Sequence, residues 1–320
     1  MVVVFSAINI PRGRYGFTNF FRDCGRNVLY INSPGNQWFQ PEIDDISPLI
    51  DQAIDLTQSQ NVFYYGASMG AYGALLYAML RKDGPCFSFG PNTTLGIPGS
   101  HSSRYDITFD GRYNDLSKLS YDGDFPLHVV FGAFDLVDAV GYFDLNQLTG
   151  LDCQLYDSCH SIHQHLFNSG DVIRMRDQFF NGSKVDAPAS ALYKHDPQTD
   201  TERTKRKNYQ IWSDHLTQNA VDLDIDILDP GDMLMQSRIL HVRRDFEAAS
   251  NLLGQAINII ENDAWLKQLP SGYIGRYHFA HAQSLKRNRD PEASIAAFLK
   301  AQDYGHKPDA CQRNIDQIRS

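Results

Sequence analysis

Three kinds of residue that together activate a hydroxyl occur along this chain in a usable order. They are a serine boxed in by small residues at Ser68, aspartates at Asp135 and Asp138, and histidines at His160, His163 and His165. A serine hydroxyl is a poor nucleophile until an imidazole takes its proton, and the imidazole needs a carboxylate to hold its tautomer. Gly66-Ala67-Ser68-Met69-Gly70 fits G-x-S-x-G. Such a turn forces the chain from strand to helix within a few residues, and bulk at the flanking positions would strike the adjacent strand and helix. Gly66, Ala67 and Gly70 are small, and Gly73 and Ala74 keep the next turn slim. The Met69 N–H, at the helix start, then points at whatever the serine attacks. A serine N-cap on an ordinary strand-to-helix turn is the plain alternative, but it does not need three small neighbours.

The base must come from a loop that can reach over the serine. "LDCQLYD" reads as a strand ending near Asp157, and Ser161 with Gln164 forms an S-x-x-Q capping box. The N-cap is then Ser161, and His160 is the last loop residue. His163 is the alternate base, although a helix N-terminus disfavours its imidazolium, and His165 packs along the helix or faces solvent. The spacing D-x-x-H-x-x-H-x-H over Asp157, His160, His163 and His165 also raises a metal site. Ligands this close in sequence rarely converge without a tailored loop, so no metal is expected.

The elements that must position these residues alternate. "MVVVFSAI", "NVLYIN", "NVFYYG", "CFSFG", "PLHVVFG" and "LDCQLYD" read as buried strands, with helical stretches between them, clearest at "IDDISPLIDQAIDLTQ" and "MGAYGALLYAMLRK". Strands alternating with helices imply a parallel sheet covered on both faces, with sites at the carboxyl ends of its strands. From about residue 183 the alternation stops.

The elbow, the strand-end aspartates and the order serine, aspartate, histidine resemble the α/β-hydrolase fold over residues 1–182. The resemblance implies a trimmed sheet of about six mostly parallel strands, because Met1 lies almost at the strand that carries the oxyanion loop. It implies that the triad acid stands just past a late strand, which selects Asp135, three residues beyond Gly132; Asp138 is the fallback, with the simpler role of helix N-cap before "AVGYF". It also implies that "SAINIP" supplies a second oxyanion donor, the N–H of Ala7 or Ile8, beside that of Met69. The segment 91–125, where lids insert in this fold, is polar and argues against a lipid substrate. Trp38, Phe39, Tyr105 and Tyr113 are expected to line a cleft for a sugar or another polar substrate, although packing on loops explains such aromatics as well.

The same triad serves an esterase or thioesterase, which uses water and no cofactor, and an O-acyltransferase, which needs acetyl-CoA or another acyl donor. The domain is also distantly similar to α/β-hydrolase-like proteins of bacterial surface-polysaccharide pathways, some of them O-acetyltransferases. A non-catalytic binding protein on a hydrolase scaffold is the third class, and the presence of every triad member argues against it.

Residues 183–200 read as a linker and 201–320 as an all-α domain. "RDFEAASNLLGQA" and "RDPEASIAAFLKA" match 45 residues apart, Arg244, Asp245, Glu247, Ala248 and Ala256 falling on Arg289, Asp290, Glu292, Ala293 and Ala301. Each block follows another helical stretch, so the unit is a helix hairpin resembling a tetratricopeptide repeat, here with insertions. Such a tail implies docking to a protein partner or to a second copy. An irregular helical bundle is the alternative.

Composition narrows the rest. The 320 residues carry a formal net charge of −9, which argues against a nucleic-acid surface. The dense basic run at Arg203, Lys205, Arg206 and Lys207 reads as a solvated helix face. Five scattered cysteines with no CxxC suit a reducing compartment. No run approaches the roughly 20 apolar residues of a membrane helix, and a cytoplasmic protein is expected.

Overall fold

The computed structural model describes residues 1–107, 110–194, 200–218, 220 and 222–320. Its first half is a six-stranded sheet: β1 (Val2–Phe5), β2 (Val28–Ile31), β3 (Phe63–Ala67), β4 (Cys86–Phe89), β5 (Leu127–Gly132) and β6 (Leu151–Tyr156). The spatial order is β2-β1-β3-β4-β5-β6 and every pairing is parallel. β1, β4 and β5 are buried along their whole length, as strands covered on both faces must be. The helices between them are α1 (Thr18–Phe21), α2 (Ile43–Thr57), α3 (Met69–Arg81), α4 (Leu136–Leu145), α5 (Ile162–Asn168) and α6 (Asp171–Phe180). This is the six-stranded, all-parallel α/β arrangement expected from the resemblance to a trimmed α/β-hydrolase fold.

The chain steps from β1 outward to β2 and then back past β1 to β3. Ligands of open α/β sheets bind at such a switch point, beyond the carboxyl ends of the strands. The loop after β1 and Ser68 after β3 are the two chain segments that leave the sheet there. Helix α3 is buried from Met69 to Met79 and runs through the core. Its small residues allow the approach: a Cβ on Gly70 would lie 2.2 Å from the Phe5 carbonyl oxygen, and one on Gly66 would lie 2.1 Å from the Gly70 oxygen.

The remainder is helical: α7 (Asp200–Gln218), α8 (Pro230–Arg243), α9 (Phe246–Asn262), α10 (Ser271–Arg287), α11 (Pro291–Asp303) and α12 (Pro308–Arg319), with consecutive helices from α8 to α12 packed on each other. The 45-residue match has a local structural counterpart. Arg244 and Arg289 both take positive φ, 65° and 61°. Asp245 and Asp290 then cap α9 and α11 by accepting from the N–H groups of Ala248 and Ala293. The two blocks are therefore the second helices of successive hairpins.

Two expectations change on contact with the structure. The basic run is not a uniformly solvated face. Lys205 is fully buried, 0% exposed, between the carboxylates of Asp229 and Asp232 at 2.5 and 2.9 Å. It thereby ties α7 to the start of α8, because a buried ammonium must be paired. The supposed linker is partly ordered against the sheet: the Asp157 N–H donates to the Ala191 carbonyl at 2.8 Å and the Tyr193 N–H to that of Leu155 at 2.9 Å. These bonds cap the outer edge of β6 at its carboxyl end, where the edge would otherwise expose unpaired backbone groups. Residues 195–199 of that segment lie outside the described residues.

The sheet and the helical half share one core. Leu234, Leu253, Trp265, Leu269, Ile274 and Tyr277 belong to the same buried cluster as the strands. Trp265 is the central fastener: its Nε1–H donates to the Asp157 carbonyl at 2.8 Å, and its ring lies 4.0 Å from that of His165. A Cβ on Gly231 would come within 2.2 Å of the Phe134 carbonyl oxygen, so the start of α8 abuts the loop after β5. Removing a buried tryptophan typically costs about 3–5 kcal/mol. Trp265→Ala is therefore expected to lower the stability of the whole chain by about that amount while unfolding stays a single transition in denaturant. Two separate transitions, with only the helical one shifted, would show that the halves fold apart.

Candidate active site

Ser68 stands between β3 and α3 with φ 56° and ψ −120°, a backbone state that non-glycine residues avoid. The burial of α3 and the close contacts of Gly66 and Gly70 hold it there. The strain turns the side chain out of the sheet, and Oγ lies 2.9 Å from His160 Nε2. His160 belongs to the loop after β6, immediately before α5. That loop can cross the sheet end because Gly132 has no side chain: a Cβ there would lie 2.2 Å from the Cys159 carbonyl oxygen. Ser161 occupies the N-cap position of α5, as expected, but its side chain makes no capping bond, and Gln164 bonds Asn168 instead.

The carboxylate on the histidine is Asp138, which corrects the choice of Asp135. His160 Nδ1 is 2.9 Å from Asp138 Oδ1. Asp135 is the N-cap of α4, its Oδ1 accepting from the N–H groups of Val137 at 3.0 Å and Asp138 at 3.3 Å. The roles are the reverse of those expected. Asp138 lies in the first turn of α4, wholly buried and facing the histidine loop, while Asp135 is occupied with orphan helix N–H groups. The sequence did carry a signal: an aspartate directly before the apolar pair Leu136-Val137 is where a cap belongs.

Burial pushes the Asp138 carboxyl up to about 6, opposed by the nearby His160. In its carboxylate form it accepts from the His160 Nδ1–H that faces it. His160 must then carry its proton on Nδ1, leaving Nε2 to take the proton of Ser68. Burial lowers the affinity of His160 for a second proton, but the charge of Asp138 and its hydrogen bond outweigh this and hold the imidazole above its ordinary value.

The other two histidines are structural. His163 Nε2 meets the Tyr65 hydroxyl at 2.7 Å inside a cage that includes Phe17, Phe20 and Phe89, and burial pushes it down to about 3. His165 bridges Ser158 Oγ at 2.8 Å and the Trp265 carbonyl at 2.9 Å, and burial pushes it down to about 4. The D-x-x-H-x-x-H-x-H residues thus point to different places. The described residues that do cluster with metal-ligand spacing are His101, Asp135 and His160, their ligand atoms within 4.8 Å of one another. Both nitrogens of His160 are already committed to Ser68 and Asp138, so that ring has none left for a metal. His101, from the loop after β4, instead stacks on His160 at 4.0 Å, and burial, followed by the charge of His160, pushes it down to about 3. Sequence reasoning missed His101, which has no motif around it.

The Phe5 carbonyl presses on Gly70, so the loop carrying Ala7 and Ile8 begins beside the first turn of α3, which Met69 opens. Both loop residues are partly exposed. The aromatic cleft does not form. Trp38 and Phe39 take positive φ, 53° and 59°, and this turn tucks both rings into the core at 0% exposure. Tyr105 packs on Trp38, with ring centroids 5.5 Å apart, and its hydroxyl bonds Asn9. Tyr113 is partly buried against the core. Neither tyrosine reaches the cavity at the histidine. That cavity, about 1010 Å³, is walled by the loop of His101 and Arg104, by His160 and by residues of α7, α8 and α10.

No family model and no curated protein sequence matches the chain significantly. Among solved structures, it is similar to the capsule O-acetyltransferase of Neisseria meningitidis serogroup A, with 16% identity over 54% of this chain and 86% of that one, at a TM-score of 0.41. It is also similar to an alpha-beta serine hydrolase homologue from Coxiella burnetii, with 14% identity over 57% of this chain and 84% of that one, at a TM-score of 0.35.

The geometry separates the two aspartates by experiment. Asp138→Asn removes the acceptor that sets the histidine tautomer, and in other triads such a change costs about 10⁴ in rate. The reaction of Ser68 with a fluorophosphonate, followed by gel fluorescence, should slow by several orders of magnitude in Asp138→Asn. In Asp135→Asn, where an amide oxygen still caps α4, it should slow by less than about tenfold. The opposite ranking would restore Asp135 as the acid.

Proposed function

We propose that this chain is a serine-dependent acyl enzyme working through an acyl-serine at Ser68. The observation that carries the reading is the continuous relay from Ser68 Oγ to His160 to Asp138, both contacts 2.9 Å, on a strained strand-to-helix turn. His160 Nε2 takes the hydroxyl proton as Oγ attacks the acyl carbon. The carbonyl electrons move onto oxygen, where the Met69 N–H and an N–H of Ala7 or Ile8 receive them, each such donor typically worth about 3 kcal/mol. The imidazolium, stabilised by Asp138, then protonates the leaving group. The acyl group passes in the second half-reaction to an acceptor deprotonated by the same imidazole.

Hydrolysis of a polar ester or thioester is the first reading and needs only water. Acyl transfer to a hydroxyl, with acetyl-CoA or a related donor and a carbohydrate-like acceptor, is the second. The observation favouring it is a cavity of about 1010 Å³, far more than a small ester fills, which His160 helps to line and which Ser68 itself does not line. α8 and α10 supply part of that wall, so we assign the helical half to the site; the tetratricopeptide-like role of docking a partner or a second copy is additional to this. Among the described residues no helix is long and apolar enough to cross a membrane, and we propose a cytoplasmic setting from the unpaired cysteines.

The relay predicts a pH profile. The imidazole is held above its ordinary value of about 6.5, so its protonated, inactive form persists to higher pH, and reactivity falls as pH drops through the raised value. Labelling of Ser68 should therefore follow one acid limb at or above that value and reach a plateau on the alkaline side. Ser68→Ala should not label at any pH. A wild-type protein that never labels, or whose acid limb lies near pH 4, would speak against the relay.

A further inference from the structure

The described wall of the cavity beside His160 carries four permanent cations, Arg104, Arg238, Arg276 and Lys307, and a single carboxylate, Asp135. That carboxylate is occupied with the cap of α4. The chain as a whole has 38 acidic against 29 basic residues, so carboxylates are in excess and an unpaired cluster of arginines is not forced by composition. Elsewhere arginines find acids: Arg81, Arg112, Arg176, Arg206 and Arg243 each hold one. Arg104, Arg238 and Arg276 make no ion pair among the described residues, and all three are exposed into the cavity.

Two of the three are nevertheless held in place. The Arg238 guanidinium lies over the Trp212 ring at 5.6 Å and that of Arg276 over Tyr273 at 5.3 Å. An aromatic face fixes the guanidinium plane and leaves its N–H edge free to donate. Like charges gathered in one wall repel each other unless an anion joins them. Burial presses the Arg238 guanidinium below its ordinary value, and the charges of Arg276 and, more weakly, Arg104 add to that. The three come from separate parts of the fold: Arg104 from the loop after β4, Arg238 from α8 and Arg276 from α10.

We propose that Arg104, Arg238 and Arg276 form an anion subsite that holds the phosphate of a phosphate-bearing substrate while its acyl chemistry proceeds at the neighbouring triad; this rests on the reading of Ser68 as the nucleophile. Phosphate is chosen over carboxylate because three guanidiniums lining one cavity offer more N–H donors than a carboxylate, which a single bidentate fork satisfies, can accept. The phosphate belongs either to a nucleotide thioester that donates the acyl group or to a phosphorylated sugar that accepts it. Residues 201–320 then complete the substrate site, because two of the three arginines lie in that half.

The test is calorimetric titration of the full chain with inorganic pyrophosphate, coenzyme A and glucose 1-phosphate. Pyrophosphate should bind, and its affinity should fall as salt rises. Arg238→Gln, Arg276→Gln and Arg104→Gln should each weaken it roughly ten- to a hundredfold, the usual loss for a hydrogen bond to a charged group. Arg313→Gln, on the exposed face of α12, should not. Arg104→Gln changes a loop outside the helical half, so it stays informative if a helix variant unfolds. Tighter binding of coenzyme A than of pyrophosphate assigns the subsite to the donor, and tighter binding of glucose 1-phosphate assigns it to the acceptor. A wild-type protein that binds none of the three, or folded arginine variants that bind as wild type does, would overturn the subsite. Fluorophosphonate labelling of wild type keeps the two readings apart. Binding without labelling would sink the serine reading alone, and labelling without binding would sink the subsite alone.

Discussion

The turn at Ser68 is the constraint on which the site depends. A serine at φ 56° is held there only because α3 is packed against β1 and β3 too tightly to relax. Backbone strain of this kind costs on the order of 1–3 kcal/mol and persists where the surroundings over-determine it. Here the surroundings are a helix buried along most of its length and two glycines with no space for a side chain. The serine is lifted clear of the sheet, and the start of α3 lies beside the loop after β1. Everything chemical at the site follows from where that turn puts one oxygen.

The second organising feature is that the helical half is not an appendage. Trp265 packs its ring against His165, only five residues beyond His160, and donates to the carbonyl of Asp157, three residues before it. Gly231 brings α8 against the loop that leads to Asp135 and Asp138. The histidine loop and the acid helix are therefore both braced by helices from the far end of the chain. The buried Lys205 with Asp229 and Asp232 pins the entry to that half. Pairing these buried charges roughly offsets their desolvation, so the cluster fixes where α7 meets α8 without implying a large gain in net stability.

Much of the sheet and the elbow was legible in the sequence, because burial on both faces leaves β-branched and aromatic runs and an elbow leaves small residues around a serine. His160 was readable as the last loop residue before a helix, even though the capping bond that suggested it does not form. The acid was not readable by distance from the strand. Asp135 and Asp138 are three residues apart, and which one turns inward depends on the first turn of α4, where the cap role draws Asp135 to the backbone. Trp38 and Lys205 misled for a shared reason: composition describes a residue's preference, while a positive-φ turn or a pair of distant carboxylates decides its burial. The arginines at the cavity were invisible to any local pattern, since three segments meet there only in the folded chain.

The central claim is that Ser68 carries the acyl group. It is tested most directly by mixing the protein with p-nitrophenyl acetate, quenching in acid during the first turnover, and mapping the modified peptide by mass spectrometry. The account predicts one acetyl group on the peptide containing Ser68, and no acetyl there in Ser68→Ala. An acetyl group found on another residue of the wild-type protein, or ester turnover undiminished in Ser68→Ala, would contradict it.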